Sequence, residues 1–362
     1  MKMLLERKLQ NLTRRVKEKG VFGYPIFFIN CSLYNLFTKK QLPDRCFTSP
    51  IHLQVETSRV CNLNCKMCEY SYGKNKGQLL NLENFNKIIS QFPYLDSLDL
   101  TGIGEPFCNP DFIQMIKSAK DKGVRVEFST NGTLLDKNNI EELVKLGVDK
   151  ICFSMDAATK ETYENIRIGA SFDKVTRNIS LLTKEISKTN SKKTKVYLSY
   201  IITKENIDEI VKFPYLAKEL GVKNIFYRDL ITFDSSPYTK EDTFAAREES
   251  VRKEIRDELM SLSVSLGMGI GLSESLLISA KPRKKMCYRP WKSCFVDVFG
   301  NLYPCCHVTQ KNRDIMPFSF GNIIGQEDNG IWNGLKYKSL RKGVSHPTQI
   351  PELCKGCDCL IK

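Results

Sequence analysis

The sequence predicts an α/β fold built around a mostly parallel sheet. From residue 51 onward, six short apolar or alternating segments recur, separated by amphipathic helical segments that tend to end at glycine. Such units indicate parallel strands joined by right-handed crossovers, in a doubly wound sheet or in a sheet curved into a partial barrel. In either arrangement, ligands bind at the carboxyl ends of the strands.

The periodicity of apolar residues and the positions of turn residues predict the strands and helices of these units. The predicted strands span residues 51–55, 95–100, 124–129, 150–155, 196–202 and 224–230. A helix over 110–122 begins with a proline and ends before Gly123, and a helix over 206–220 ends before Gly221. A long charged helix over 239–266 is predicted to connect these units to the C-terminal region.

Charge and cysteine placement divide the chain into four regions. We predict a basic N-terminal extension over 1–50, the strand–helix units over 51–235, a connecting helix region over 236–280 and a cysteine-rich domain over 281–362. The extension contains a basic helical stretch over 4–18. It either packs on the main domain or rests on an anionic membrane or nucleic acid.

Composition narrows the class of protein. With 362 residues, of which 41% are apolar, the chain can bury a sizeable core, which excludes wholesale disorder. The net charge of +14 favours an acidic partner only weakly, because no nucleic-acid motif accompanies the lysine clusters. Neither a signal-peptide pattern nor a bilayer-length apolar run is evident, so we expect a cytoplasmic protein. Its 14 cysteines are then reduced, and metal ligation is their leading use.

Three cysteines, Cys61, Cys65 and Cys68, crowd the loop after the first predicted strand. Thiolates at this spacing suit an iron–sulfur cluster or zinc, but a zinc site needs a fourth protein ligand that nothing nearby provides. A 4Fe-4S cluster held by three cysteines keeps one iron without a protein ligand. An open coordination position is what a catalytic metal requires.

The Cys-x3-Cys-x2-Cys spacing after the first strand resembles the radical S-adenosylmethionine (radical SAM) superfamily, whose other motifs follow in the same order. Gly102-Ile103-Gly104-Glu105-Pro106 is similar to the family's Gly-Gly-Glu-Pro segment, with isoleucine in place of the first glycine. The stretch 129–132 follows the third strand, and Ser154 and Asp156 stand at the end of the fourth. This resemblance implies a partial (β/α)6 TIM-like barrel.

The resemblance also implies a binding site for S-adenosylmethionine. Its predicted residues are Met67 against the adenine, Gly104 and Glu105 at the methionine amine, Asn131 and Ser154 near the ribose, and Arg167 at the carboxylate. The family's reaction would cleave the cofactor reductively to a 5′-deoxyadenosyl radical, which takes a hydrogen atom from the substrate. A flavodoxin- or ferredoxin-type protein is the expected electron donor.

The C-terminal region contains a second cysteine cluster, Cys287, Cys294, Cys305, Cys306, Cys354, Cys357 and Cys359. A hairpin is predicted from 294–298 and 302–303, and the region resembles the SPASM or Twitch auxiliary domains of radical enzymes. The resemblance implies one auxiliary 4Fe-4S cluster with Cys287, Cys305, Cys354 and Cys357 as ligands.

Other uses of these cysteines stay open. Two auxiliary clusters, or a zinc site with Cys305, His307, Cys354 and Cys357, are the alternatives. Cys294 and Cys306 are expected to be buried thiols, and Cys359 is a ligand exchange candidate. The scattered cysteines, Cys31, Cys46, Cys108 and Cys152, are predicted to be small buried hydrophobic residues.

The expected enzyme is a radical SAM oxidoreductase or maturase that oxidises or crosslinks a peptide or small metabolite. The alternatives are a dehydrogenase or epimerase of a sugar or alcohol metabolite and an RNA-modifying radical enzyme. The three-cysteine loop argues against a simple electron carrier, which would close its cluster with four thiolates. Tyr70, Tyr72, Tyr227 and Arg228 lie near predicted strand ends and either line the substrate pocket or pack elsewhere.

Overall fold

The computed structural model describes residues 44–46, 49–73, 76–189, 193–233, 236–273, 276, 287–306, 318–325, 328–345, 351–354 and 357. Within these ranges, the strands are β1 (His52–Val55), β2 (Ser97–Asp99), β3 (Arg125–Thr130), β4 (Lys150–Ser154), β5 (Lys195–Ile202), β6 (Asn224–Asp229), β7 (Gly269–Leu272), β8 (Ser293–Val296), β9 (Asn301–Tyr303) and β10 (Gly321–Asn322). The basic N-terminal stretch over 4–18 lies outside the described residues.

These strands form one sheet in the order β10-β9-β8-β1-β2-β3-β4-β5-β6-β7. All neighbours from β8 to β7 are parallel, whereas β9 runs antiparallel to both β8 and β10. The predicted α/β fold is therefore confirmed, and β1 to β6 correspond to the six predicted strands. Their carboxyl ends meet at one edge of the sheet.

The described helices connect the strands of the parallel sheet or belong to the C-terminal region. They are α1 (Glu69–Tyr72), α2 (Leu82–Ser90), α3 (Phe112–Asp121), α4 (Lys137–Leu146), α5 (Lys160–Ile166), α6 (Phe172–Lys188), α7 (Phe213–Glu219), α8 (Glu249–Ser265), α9 (Arg289–Lys292), α10 (Asp328–Trp332) and α11 (Leu335–Ser345). Short 3-10 helices span Pro106–Cys108, Ile207–Glu209, Lys240–Asp242, Phe244–Ala246 and Glu352–Cys354.

Two predicted helices are interrupted. The helix predicted over 206–220 is a 3-10 turn followed by α7, because Pro214 has no N–H to continue a helix and occupies the first turn of α7. The helix predicted over 239–266 begins with two 3-10 turns, and only α8 is a regular helix. The strand β7, which follows α8, was not predicted from the sequence.

Alternation along the strands separates an apolar face from a polar one. On β1, Leu53 and Val55 are completely buried beneath the helices, whereas His52 and Gln54 are half-buried on the other face. The same alternation is present on β2 and β3. The inner face of the curved sheet is therefore polar, and it leads up to the carboxyl ends of the strands.

The cysteine-rich C-terminal region joins this sheet directly. Cys294 of β8 is paired in parallel register with Leu53 of β1, and β8 continues through the predicted hairpin into β9. The backbone N–H of Glu56 also donates to the carbonyl of Val296 (2.9 Å). None of the helices in the described ranges has the length and hydropathy needed to cross a bilayer.

Candidate active site

The cysteine loop is fixed by backbone hydrogen bonds to the segment that follows α5. Asn64 N–H donates to the carbonyl of Ile168 (3.0 Å), and Lys66 N–H donates to that of Ile166 (2.9 Å). Two tyrosines of α1 support the loop from the other side, with hydroxyls that donate to the carbonyls of Cys61 and Lys66. The loop therefore has a defined shape before any metal binds.

The three thiols of this loop lie close to one another in a buried setting. Burial raises the pKa of Cys61 and of Cys65, and burial with the neighbouring charge of Cys65 raises the pKa of Cys68 to about 12. Uncoordinated, they are protonated at neutral pH, so metal binding must displace protons. Within the described ranges, no group of three His, Cys, Asp or Glu side chains is arranged to hold a single metal ion. A 4Fe-4S cluster, which distributes its thiolate ligands over several irons, suits these donors better.

The Gly102–Pro106 loop packs directly against the chain that enters the cysteine loop. Gly104 N–H donates to the carbonyl of Ser58 (3.1 Å), and Glu105 N–H donates to that of Val60 (2.8 Å). A Cβ atom on Gly104 would lie 2.5 Å from the carbonyl oxygen of Ser58. Only glycine fits at position 104. Ile103, which differs from the family motif, lines the cavity, where there is room for its side chain.

Glu105 ties the loops after β2 and β3 together. Its carboxylate is buried and accepts hydrogen bonds from Thr130 Oγ1 (2.6 Å) and from the backbone N–H groups of Asn131 (2.7 Å) and Phe107 (3.3 Å). Burial raises the pKa of Glu105, and these hydrogen bonds oppose that shift by stabilising the charged form. Thr130, which was not predicted from the sequence, is thus part of the support of this site.

Asn131 joins the end of β3 to the cysteine loop. Its Nδ2 donates to Asn62 Oδ1 (3.0 Å) and lies 3.9 Å from Cys61 Sγ, while its Oδ1 accepts from the backbone and hydroxyl of Thr133. The amide is therefore held in one orientation beside the predicted cluster.

Arg167 is buried between the cysteine loop and the end of β4. Its Nη2 lies 2.5 Å from Asp156 Oδ2, and its Nη1 lies 3.7 Å from Cys65 Sγ. Asp156 in turn accepts from the backbone N–H of Ile201 (2.7 Å). The Nε of Arg167 is buried with no hydrogen-bond partner. A carboxylate bound here would satisfy that donor, which fits the predicted contact with S-adenosylmethionine.

One cavity of about 330 Å³ brings the predicted residues together at the carboxyl edge of the sheet. All nine predicted for the cluster and the cosubstrate line it: Cys61, Cys65, Met67, Cys68, Gly104, Glu105, Asn131, Ser154 and Arg167. The volume is in the range of small-molecule sites. The motifs of the radical SAM resemblance were the signal that located these residues, and they lie together because the carboxyl ends of parallel strands meet at one edge.

The remaining candidate residues differ in whether they reach the cavity or are buried elsewhere. Arg228 lines the cavity, whereas Tyr227 is completely buried on the opposite face of β6, where its hydroxyl donates to the carbonyl of Ile210. An apolar wall that the sequence analysis missed follows β6: Leu230, Ile231 and Phe233. Of the scattered cysteines, Cys46 and Cys152 are buried as predicted, Cys108 is only half-buried, and Cys31 lies outside the described residues.

The C-terminal cysteines occupy different environments. Cys294 is buried in the main core, as predicted, and Cys306 is half-buried, with its sulfur 3.7 Å from Arg289 Nη1. Each predicted ligand of the auxiliary cluster is half-buried: Cys287, Cys305, Cys354 and Cys357. Cys357 N–H donates to the carbonyl of Cys354 (3.1 Å), which forms the expected turn. His307 and Cys359 lie outside the described residues.

Family profiles match both parts of this arrangement. The profile of the radical SAM superfamily matches residues 55–214, and that of SPASM, an iron–sulfur cluster-binding domain, matches residues 287–358. The chain belongs to the radical SAM superfamily and carries a C-terminal SPASM domain. It is a radical SAM enzyme. Its cofactors are S-adenosylmethionine, the radical SAM 4Fe-4S cluster and the auxiliary iron–sulfur clusters of the SPASM domain.

Sequence relatives extend over most of the chain. The tungsten-containing aldehyde ferredoxin oxidoreductase cofactor-modifying protein of Pyrococcus furiosus is 26% identical, over 80% of this chain and 83% of the relative. The AdoMet-dependent heme synthase of Methanosarcina barkeri is 28% identical, over 83% and 89% respectively. These similarities cover both the barrel and part of the C-terminal region.

The fold also resembles a solved structure that contains a bound precursor peptide. Streptococcus suis SuiB bound to its precursor peptide SuiA superposes with a TM-score of 0.65, at 13% identity, over 88% of this chain and 70% of that one. At such low identity, the likeness concerns the fold alone.

Proposed function

We propose that this enzyme abstracts a hydrogen atom from a peptide or small metabolite and then oxidises or crosslinks it with the help of an auxiliary 4Fe-4S cluster. The observation that carries the proposal is the single cavity lined by the three loop cysteines and all six predicted cosubstrate residues. It lies at the carboxyl edge of a parallel sheet, where ligands of such folds bind.

In this proposal, the residues of the cavity hold and orient the cofactors. Cys61, Cys65 and Cys68 are the cluster ligands, and they leave one iron open for the cosubstrate. When bound together, the reduced cluster and S-adenosylmethionine supply the 5′-deoxyadenosyl radical. Every other contribution comes from the chain, which orients the reactants and limits the access of water.

Six residues are proposed to contact the cosubstrate. Gly104 and Glu105, in their rigid loop, contact the amine of the methionine part of the cosubstrate. Arg167 binds the carboxylate of the cosubstrate through its unpartnered Nε. Asn131 and Ser154 stand at the ends of β3 and β4, on the ribose side. Met67 is 7% exposed and offers an apolar surface for the adenine.

The C-terminal domain is proposed to hold one auxiliary 4Fe-4S cluster through Cys287, Cys305, Cys354 and Cys357. Direct pairing of β8 with β1 supports a fixed distance between this domain and the barrel. We infer that the auxiliary cluster accepts the electron that the substrate radical loses. A flavodoxin- or ferredoxin-type protein is the proposed external donor for the first cluster.

The substrate class is supported from two sides. Relatives named for cofactor modification and for heme synthesis favour a small metabolite, whereas the fold shared with SuiB, which binds the precursor peptide SuiA, favours a peptide. The proposal therefore covers both classes and commits to the hydrogen abstraction that precedes either outcome.

The test is the formation of 5′-deoxyadenosine. Reconstituted enzyme, reduced with dithionite and given S-adenosylmethionine, is expected to release it even without substrate. Cys61→Ala should abolish release, whereas Cys46→Ala, which removes a buried thiol outside the cysteine loop, should not. Absence of 5′-deoxyadenosine from the fully reconstituted wild-type enzyme would overturn the proposed function.

A further inference from the structure

Arg228 presents a positive charge to the active-site cavity that the chain does not neutralise. The side chain stands at the end of β6, is exposed and lines the cavity. Within the described part of the chain, no carboxylate lies within ion-pair distance of it. Its guanidinium lies 5.2 Å from the centre of the Phe226 ring, which supports it from below.

Three other ionisable groups of the cavity are engaged elsewhere, and a fourth, Glu69, lines the cavity on the cysteine-loop side. Arg167 is paired with Asp156, and Glu105 accepts hydrogen bonds from Thr130 and two backbone groups. Asp229, the residue next to Arg228, accepts from the backbone N–H groups of the turn that begins at Phe244 (2.7 and 3.0 Å). Its carboxylate is thereby held on that turn and does not neutralise its neighbour.

The polar inner face of the sheet below the cavity contains two ion pairs that do not involve Arg228. Lys150 lies 3.4 Å from Glu127, and Arg125 is paired with Asp96. These pairs use Asp96 and Glu127. Asp99, a third acidic group of this face, interacts electrostatically with Arg228 but forms no ion pair with it among the described residues, and its carboxylate accepts from the hydroxyl of Thr101 (2.5 Å). An anionic ligand bound in the cavity could therefore form the ion pair that Arg228 lacks among the described residues.

The wall beside Arg228 is apolar. Ile231 is 50% exposed although it is a large hydrophobic residue, and Leu230 and Phe233 line the cavity next to it. Phe233 packs at 6.0 Å, ring centre to ring centre, against Tyr72 of the cysteine-loop side. A ligand that contacts Arg228 would therefore place an apolar body along this wall.

We propose that Arg228 binds a carboxylate of the substrate, with the adjoining apolar part of that substrate on the wall of Leu230, Ile231 and Phe233. This inference rests on the proposed function, because it places the substrate in the same cavity as the radical source. A planar guanidinium matches a carboxylate in two parallel hydrogen bonds. One uncompensated positive charge matches one carboxylate, and the other lining cation, Arg167, already has Asp156 as a partner.

The position of Arg228 also separates this site from the cosubstrate carboxylate. Arg167 lies beside Cys65 and carries a buried Nε without a partner, so it is the better site for the carboxylate of S-adenosylmethionine. Arg228 stands on β6, and four strands separate β6 from β1, which leads into the cysteine loop. The two arginines thus face different parts of the cavity.

Binding of a matched pair of probes tests the proposal. Phenylacetate and its neutral analogue phenylacetamide are titrated by calorimetry into the reconstituted enzyme with S-adenosylmethionine present. The wild-type enzyme should bind phenylacetate about tenfold more tightly, as expected for a charge-assisted hydrogen bond. Arg228→Gln should abolish this preference and Arg228→Lys should keep part of it, whereas Arg177→Gln, at an exposed position on α6, should leave it intact.

Four results would count against the Arg228 site. The first is that the wild-type enzyme binds the two probes equally, and the second is that Arg228→Gln loses affinity for both probes to the same extent. The third is that inorganic phosphate competes with phenylacetate more strongly than acetate does. The fourth is that Arg228→Gln loses affinity for S-adenosylmethionine. The last would assign Arg228 to the cosubstrate. A preserved carboxylate preference in an enzyme that forms no 5′-deoxyadenosine would support the site and contradict the proposed function instead.

Discussion

Arg59 donates from Nε to Glu56 Oε2 over 2.7 Å, in a position where the two side chains are 3% and 0% exposed. Glu56 also accepts from the backbone N–H of Ile103 (3.0 Å) and of Val298 (3.4 Å). One carboxylate therefore contacts the chain before the cysteine loop, the Gly102–Pro106 loop and the hairpin of the SPASM domain. The guanidinium of Arg59 lies 5.4 Å from the ring centre of Phe299 in that hairpin.

Removal of this carboxylate should destabilise the whole enzyme. Glu56→Ala leaves the buried Arg59 charge without its partner, and the loss of one member of a buried pair costs about 3 kcal/mol or more. Denaturant unfolding of the metal-free protein measures the free energy of unfolding. Glu83→Ala, which removes a surface pair with Lys87, is the control and should leave that free energy unchanged within error. Equal stability of the two variants would contradict the role assigned to Glu56.

Gly104→Ala should damage the cosubstrate site without removing any functional group. The added Cβ would lie 2.5 Å from Ser58 O and 2.8 Å from Val60 N, both backbone atoms, so the loop has to move. Because displacement of a positioning loop by about 1 Å costs roughly a hundredfold in rate, 5′-deoxyadenosine formation should fall by about that factor. Gly325→Ala, whose Cβ would have Asn322 Oδ1 at an unstrained 4.0 Å as its nearest recorded neighbour, is the matched control. A Gly104→Ala enzyme with normal affinity and rate would show that the loop tolerates the shift.

The sequence was sufficient for the strands and the strand-end residues, but not for their partners. Alternation located β1 to β6, and the motifs of the radical SAM resemblance identified Asn131, Ser154 and Arg167. These three residues line one cavity because the carboxyl ends of the strands meet at one edge. The contact between Glu56 and Val298 joins residues 242 positions apart, so no local pattern reports it. The strand β7 was missed because Gly269 and Gly271 resemble a turn. Gly271 is needed because a Cβ there would lie 2.7 Å from the Phe226 ring.

The stability of the enzyme should depend on the protonation of Asp99, on the inner face of β2. Burial raises the pKa of Asp99 to about 7, and the hydroxyl of Thr101 donates to its carboxylate (2.5 Å). The folded state holds this proton up to near neutral pH, whereas the unfolded state releases it near the ordinary value. At pH values between the ordinary pKa of 3.8 and the raised pKa of about 7, the folded state therefore binds more protons than the unfolded state. The contribution of Asp99 to stability is lost as the pH rises towards 7.

Asp99→Asn should remove this pH dependence. At pH 8.5, the variant is expected to unfold at a temperature about 1 to 3 °C higher than wild type, and the difference should shrink as pH falls below 6. Thermal unfolding followed by circular dichroism across this pH range measures the effect. A variant that is less stable than wild type at every pH would show that the carboxylate is stabilising in its charged form.

The two cysteine clusters should be separable by mutation. With one catalytic and one auxiliary 4Fe-4S cluster, the reconstituted enzyme should contain about eight irons, and Cys61→Ala and Cys357→Ala should each lower that number. Only Cys61→Ala removes a ligand of the cavity, so Cys357→Ala should still form 5′-deoxyadenosine without substrate but fail to release oxidised product. Iron analysis, electron paramagnetic resonance of the reduced clusters and 5′-deoxyadenosine quantification together test this division. If Cys357→Ala abolished cosubstrate cleavage while keeping the signal of the first cluster, the auxiliary cluster would have to deliver electrons inward, and its proposed role as acceptor would be wrong.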